Sequence, residues 1–148
     1  MRRHRLLIWA AWLVFTAAWF LPVVKEGVTL PQGLPGWQAF RVAASAVWPL
    51  PDVTIDEWYK AVLFTISAIT TLLFFPGSVW AVWSGSRVLR RACAWIATSA
   101  FVINAHWYVL YGGSARHDLR VGYFLWWVSF LLVALGLFDL SRREVGKQ

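Results

Sequence analysis

The chain has 148 residues, of which 59% are hydrophobic and 14% charged, with a mean hydropathy of +0.57. That is far from the roughly 25% charged composition of soluble domains and points to a membrane protein. A net charge of +7 and a pI near 10.3 would suit nucleic acid, but the basic residues are split among three short flanks, the pattern of topology signals and anionic-lipid contacts. Cys93 is the only cysteine, which excludes an internal disulfide or a dithiol redox pair.

Arg2, Arg3 and Arg5 precede an apolar run from Leu6 to Leu21 that is longer than the 7 to 15 apolar residues of a signal peptide. It ends in Trp19 and Phe20 with no small-x-small cleavage site, so a retained first span over 6–24 is expected. Ala10 and Ala17 offer a slim face to a neighbour, and Pro22 stops the helix near the outer surface.

An outside loop over 25–54 follows, and Pro22, Pro31, Pro35, Pro49 and Pro51 restrict its backbone. Between Pro35 and Pro49 the pattern predicts an amphipathic helix over 36–48. Trp37, Phe40, Ala44, Val47 and Trp48 fall on one face and Gln38, Arg41 and Ser45 on the other. Such a helix lies on the membrane surface or closes the end of a bundle as a lid.

Thr54-x-x-Glu57 fits a capping box that starts a second span at Ile55, running over 55–75. Pro76-Gly77 either ends it there or kinks a helix that continues to 83. Ser67, Thr70, Thr71 and Ser78 are expected to bond their own backbone or a neighbouring helix. Ser84-Gly85-Ser86 makes the tight turn of an antiparallel hairpin into a third span over 88–111. There Cys93, Ala97, Ala100, Asn104, Tyr108 and Tyr111 form a stripe of small residues with a polar end, expected to face the bundle. The fourth span, 121–140, repeats Gly122, Ser129 and Gly136 every seven residues, a groove for close helix approach. Asp139 is expected to pair with Arg142 and Arg143.

Orientation follows from the charges. Nine basic residues flank the N-terminus, the middle turn and the C-terminus, and with Asp139 and Glu144 they leave +7 on one side. The opposite side has five basic and five acidic residues and is neutral. The positive-inside rule therefore puts both termini in the cytoplasm. Of the twelve tryptophans, Trp19, Trp37, Trp48, Trp58, Trp107 and Trp126 fall near the outer boundary and Trp9, Trp80, Trp83 and Trp95 near the inner one, as interfacial anchors do.

His106 is the one histidine inside a span. Asn104 stands two positions, about 200°, away on a helix, so the pair cannot share a site. An interhelical hydrogen bond is the first expectation for His106, and a ligand role shared with Tyr108 is the alternative. A haem with two axial histidines lacks its second ligand, because His4 is on the cytoplasmic side and His117 in the outer connection. Metal spacings, catalytic triads and phosphate loops are missing, so no cofactor and no enzymatic activity are expected.

Leu34-Pro35-Gly36-Trp37 after a first span, the arginine-flanked middle turn, and Gly122-Tyr123-Phe124-Leu125-Trp126 with Ser129-Phe130 together resemble small uncharacterised four-span bacterial inner-membrane proteins. The resemblance implies a layout and no catalytic residues. Claudin-like architecture is also similar, but the paired loop cysteines of that family are absent here.

The sequence therefore predicts an all-α, up-and-down four-helix bundle in a plasma (inner) membrane, with the amphipathic helix over its outer end. An accessory or interaction role is expected, toward the lipid bilayer and a larger membrane complex, a second copy or a lipid-like ligand, with no nucleic acid. The contact residues would be Trp37, Phe40, Arg41, Trp48, Asn104, His106 and Tyr108, and the packing residues Ala97, Ala100, Gly122, Ser129 and Gly136. The alternative is a redox or transport subunit holding a quinone, haem or solute near His106.

Overall fold

Helix α1 (Arg3–Phe20) buries His4, Ile8, Ala11, Phe15 and Ala18. This alternating spacing of four and three keeps one stripe toward a partner helix. The buried small residues are Ala11 and Ala18, one position on from the expected Ala10 and Ala17; Ala17 is exposed. The displacement arises because the stripe is set by its large members, Ile8 and Phe15, and the alanines fall between them. The computed structural model describes residues 3–25, 33–50, 57–110 and 119–142 and is mostly helical.

The partner of α1 is α6 (Val121–Arg142), with which it packs most extensively, and α6 in turn packs on α4 (Arg87–Asn104). Both pairs run antiparallel. At one end of the α1/α6 seam Gly122 lies against Leu21 and Pro22; at the other Gly136 lies against His4 and Ile8. A Cβ on Gly136 would come within 2.7 Å of Ile8 Cγ1, so the helices approach at this point as only glycine allows. Ser129, between the two glycines, is fully buried. The seven-residue repeat of α6 is thus a packing face. Ala97, Ala100 and Asn104 of α4 are buried as expected, joined by Arg90 and Ala94, whereas Cys93 is half-buried.

Helix α3 (Trp58–Trp83) continues through Pro76 and Gly77 to its end at Trp83, the longer of the two expected lengths. It starts at Trp58, three residues later than the capping box implied. Glu57 is the N-cap in extended conformation and its side chain caps nothing; Thr54 lies outside the described residues. The Glu57 carboxylate instead pairs with Lys60 at 3.1 Å, and hydrogen bonds from Tyr59 and Lys60 hold it below its ordinary carboxylate pKa. The turn into α4 is the expected one. Ser86 caps α4 by accepting from Leu89 N at 3.3 Å. Arg90 reaches back to donate to Ala81 O and Val82 O at 3.2 and 3.3 Å, which satisfies carbonyls at the end of α3.

The ring of four long helices closes between α1 and α3, where the backbones stay further apart and aromatic rings fill the space. Phe15 stacks on Phe74 with centroids 4.1 Å apart, and Phe75 meets Phe15 edge-on at 5.2 Å. Trp12 Nε1 donates to Ser78 Oγ at 2.9 Å. Each ring pair contributes about 0.5–1.5 kcal/mol beyond the area it covers.

Two helices, Trp58–Trp83 and Val121–Arg142, are long and apolar enough to cross a membrane. The surface is apolar as well as the core. Buried beside Phe15, Phe130, Val133 and Leu137 are Ser67, Thr71, Ser78, Asn104, Ser129 and Ser141, while Leu6, Leu13, Ile69, Leu72, Ile96 and Val102 are exposed. Trp9, Trp37, Trp48, Trp58, Trp80, Trp83 and Trp95 are exposed, as boundary anchors would be, but Trp19, Trp107 and Trp126 turn inward. Asp139 faces His4 across the α1/α6 seam, Nδ1 to Oδ2 3.6 Å; Arg143, one of the two partners expected for it, lies outside the described residues.

Candidate functional site

The end of the bundle that holds Pro22 and Gly122 is assembled around a turn that the helical reading of the sequence missed. After Phe20 the chain extends as β1 (Pro22–Val24) and pairs antiparallel with β2 (Leu34–Pro35). Arg120 N donates to Val23 O at 2.8 Å and Leu119 bridges to Val24, so the approach to α6 joins the same small ribbon. The two prolines of the ribbon, Pro22 and Pro35, contribute φ values already near the extended region. A Cβ on Gly36 would collide with Ala18 O and sit 2.8 Å from Trp19 Cα, and one on Gly122 would sit 2.7 Å from the carbonyl oxygens of both Leu21 and Pro22. Larger residues at either position would prise this end apart.

From Gly36 the chain forms α2 (Gly36–Ala43) and one 3-10 turn, Ala44–Ala46, where a continuous helix to Trp48 had been expected. Of the face expected to dock, Phe40 and Ala44 do so, and Ala43 joins them. Phe40 leans on Trp19, centroids 5.4 Å apart, and Ala43 and Ala44 pack on Ala68 of α3. Trp37, Val47 and Trp48, expected on the docked face, are exposed, and Ser45, expected on the polar back, is buried. Small residues win that face because α2 lies flat on α1 and α3, leaving no space for indoles. Ala68 is ten residues, about 15 Å, along α3 from Trp58, so the flap is recessed into the bundle. Arg41 fastens its far end, donating from Nη1 to Trp48 O at 2.5 Å with its guanidinium 3.9 Å from the Trp48 ring centre.

Beneath the flap is a cavity of about 70 Å³, several times the roughly 10–15 Å³ that one water needs. Its roof is Ala39, Phe40 and Ala43, and its walls include Trp19 of α1, Ser67 and Thr71 of α3, and Tyr123 and Trp126 of α6. Trp107, in α5 (His106–Leu110), completes it.

The polar atoms of these walls are paired with one another. Ser67 Oγ donates to Asn104 Oδ1 at 2.6 Å and accepts from Trp107 Nε1 at 3.0 Å. Thr71 Oγ1 donates to Ser67 O at 2.7 Å and accepts from Trp126 Nε1 at 3.2 Å. Asn104 Nδ2 donates to Thr70 Oγ1 at 3.1 Å, and Tyr123 OH donates to Asn104 O at 3.1 Å. With its hydroxyls and indoles occupied in this way, the cavity presents an essentially apolar surface. Such a wall recognises hydrocarbon and offers little to a charged or strongly hydrogen-bonding solute.

Of the predicted contact residues, only Phe40 lines the cavity. Asn104, fully buried, supports the wall from behind. Trp37, Arg41 and Trp48 belong to the outer surface of the flap. His106 stands apart, as the helical rotation predicted: α4 breaks at Ala105, and His106 packs beside Trp107 with centroids 5.1 Å apart. Tyr108 meets Phe124 at 6.5 Å, and neither it nor His106 lines the cavity. His106 Nδ1 lies 2.8 Å from Ile103 O; a carbonyl only accepts, so Nδ1 carries the proton and Nε2 keeps its lone pair. That Nε2 is shielded and has no hydrogen-bond partner among the described residues. His117 and Tyr111 lie outside the described residues, and among the described residues no group of His, Cys, Asp and Glu is arranged to hold a metal.

Ser67, Thr71, Trp107, Tyr123 and Trp126 were not among the predicted contact residues. Their sequence signal was the pair of hydroxyls one turn apart on α3, which two indoles from other helices could share. No family model, curated protein or solved structure matches this chain.

Proposed function

We propose that the chain crosses the inner membrane four times, through α1, α3, α4 with α5, and α6, and serves as a non-enzymatic accessory protein whose flapped outer end engages a lipid-like ligand or a membrane partner. The observation that carries this reading is the apolar outer surface. Large hydrophobic side chains cover the outward faces of α1 and α4, including Leu6, Trp9, Leu13, Val88, Trp95 and Val102, as well as those of α3 and α6. In water such a surface would associate or precipitate; in lipid it is the required one. The flap then adds two features to a plain bundle: an apolar cavity underneath and two exposed indoles, Trp37 and Trp48, above.

The test has two parts. In a Cys93→Ser background, Arg41→Cys is expected to react with a membrane-impermeant maleimide from outside the cell, and a C-terminal cysteine only after permeabilisation. Reaction of position 41 only from the cytosol would end the four-span reading. Trp37→Ser combined with Trp48→Ser is expected to weaken retention of lipid or protein partners during purification while insertion stays intact. Unchanged retention would count against the flap as a docking surface.

A redox or transport subunit is the second reading, and it rests on the bare Nε2 of His106. A Soret band or bound quinone that disappears in His106→Ala would favour it over the accessory role.

A further inference from the structure

The cavity under the flap adjoins a second depression. An open groove of about 400 Å³ runs along the α1/α3 seam, lined by Phe15, Thr16, Phe20, Trp37, Leu72 and Phe75. Trp19 and Thr71 line both spaces and stand between them. The groove lies where α1 and α3 fail to pack closely, and its exposed lining residues Phe20 and Leu72 belong to the same apolar surface as Leu13 and Ile69.

We infer that groove and cavity form one lateral slot for a single hydrocarbon chain of a membrane phospholipid, which enters from the bilayer between α1 and α3 and ends under the flap. This rests on the four-span reading above. Three observations select the occupant. The slot is lined by rings and aliphatic groups, and the hydroxyls of Thr16, Ser67, Thr71 and Tyr123 and the indole N–H groups of Trp107 and Trp126 are already paired within the protein, so it suits a chain without polar atoms. Its opening faces the apolar flank of the bundle, so a lipid tail reaches it without crossing water. Trp37 lines the groove, and one turn along the same helix is Arg41, a cation that bonds Trp48 O and Pro49 O and still keeps further N–H donors to offer a phosphate above the hydrocarbon. A peptide would need free backbone partners that the slot does not offer, and a polar solute would leave its own groups unpaired.

The experiment uses the full chain reconstituted in phosphatidylcholine vesicles with a trace of phosphatidylcholine carrying a diazirine near the chain end. After irradiation, adducts are mapped by mass spectrometry. Adducts on Trp19, Ala39 or Thr71 are expected, besides those on outward residues such as Leu13 and Ile69. Ala39→Phe, which fills the cavity from its roof, is expected to cut the inner adducts at least fivefold and leave the outward ones unchanged. Ala39→Leu, a milder filling, should give an intermediate loss and keeps the test open if the phenylalanine does not fold. Arg41→Gln should lower the inner adducts about twofold or more.

Inner adducts absent from the wild type, or undiminished in both Ala39 variants, overturn the inference. So does labelling of the cavity by a water-soluble diazirine, which would make it a hydrated space. Unchanged inner labelling in Arg41→Gln overturns the phosphate contact. The impermeant-maleimide assay run on the same protein separates this failure from failure of the four-span reading: correct topology with no inner adducts defeats only the slot.

Discussion

Helix α1 meets two of the other long helices in opposite ways. Against α6 it presents a stripe that closes on glycine and serine, and the backbones come together. Against α3 it presents Trp12, Phe15 and Trp19, and the backbones stand apart with rings between them. In lipid, where the tails are as apolar as any side chain, helices associate by close packing and polar contacts. The first seam is therefore the structural one. The second closes the ring yet leaves room, and the groove and cavity are on that side.

The sharpest way to break this contrast is to add volume to the tight seam. Gly122→Val and Gly136→Leu should each destabilise by roughly 3 kcal/mol or more, because backbone and Ile8 stand where the new atoms would go. Loss of the monodisperse peak in detergent, or a steep fall in thermal midpoint followed by tryptophan fluorescence, is the readout. Near-wild-type behaviour would mean that the α1/α6 seam does not hold the fold. Next in size is Asn104→Leu, which leaves the buried hydroxyl of Ser67 without its acceptor and removes the donor to Thr70. A loss of about 2 kcal/mol is expected by thermal unfolding, with reordering of the flap.

The aromatic seam should yield more gently. Phe75→Leu is expected to cost less than about 1.5 kcal/mol in the same assay, since a neighbouring groove gives the remaining rings room to adjust. A loss as large as that of the glycine variants would erase the distinction between the seams. Ser78→Ala removes the one hydrogen bond that crosses this seam from Trp12, at roughly 0.6 kcal/mol. A shift of several kilocalories in that variant would show that polar contact, and not ring packing, closes the ring.

The long helices could be read in the sequence because their signal is repetition along one strand of chain. Gly122, Ser129 and Gly136 announce a packing face by themselves, as do Ala97, Ala100 and Asn104. The flap could be read only in part. Its existence followed from Pro35 and Pro49 and from alternating polarity, and so did the docking of Phe40 and Ala44, but the rest of its face did not. Hydrophobicity favoured Trp37 and Trp48, whereas the space against Ala68 admits Ala43. The strand pair went unread because a two-residue ribbon between Pro22 and Pro35 has no periodicity to detect. The cavity wall was hidden for a related reason. Ser67 and Thr71 were legible as helix glue, but that Trp107 and Trp126 would turn from the boundary to share them depends on helices far apart in sequence.

The buried guanidinium of Arg90 has a consequence for anyone who sets out to invert this protein by moving its charges. On the four-span reading, Arg87, Arg90 and Arg91 together mark the cytosolic hairpin, yet Arg90 also ties the last carbonyls of one helix to the first turn of the next. Neutralising all three would disturb orientation and assembly at once, and the two outcomes could not be told apart. Arg87 and Arg91, both exposed, are the pair through which insertion direction can be altered while the hairpin clasp stays shut.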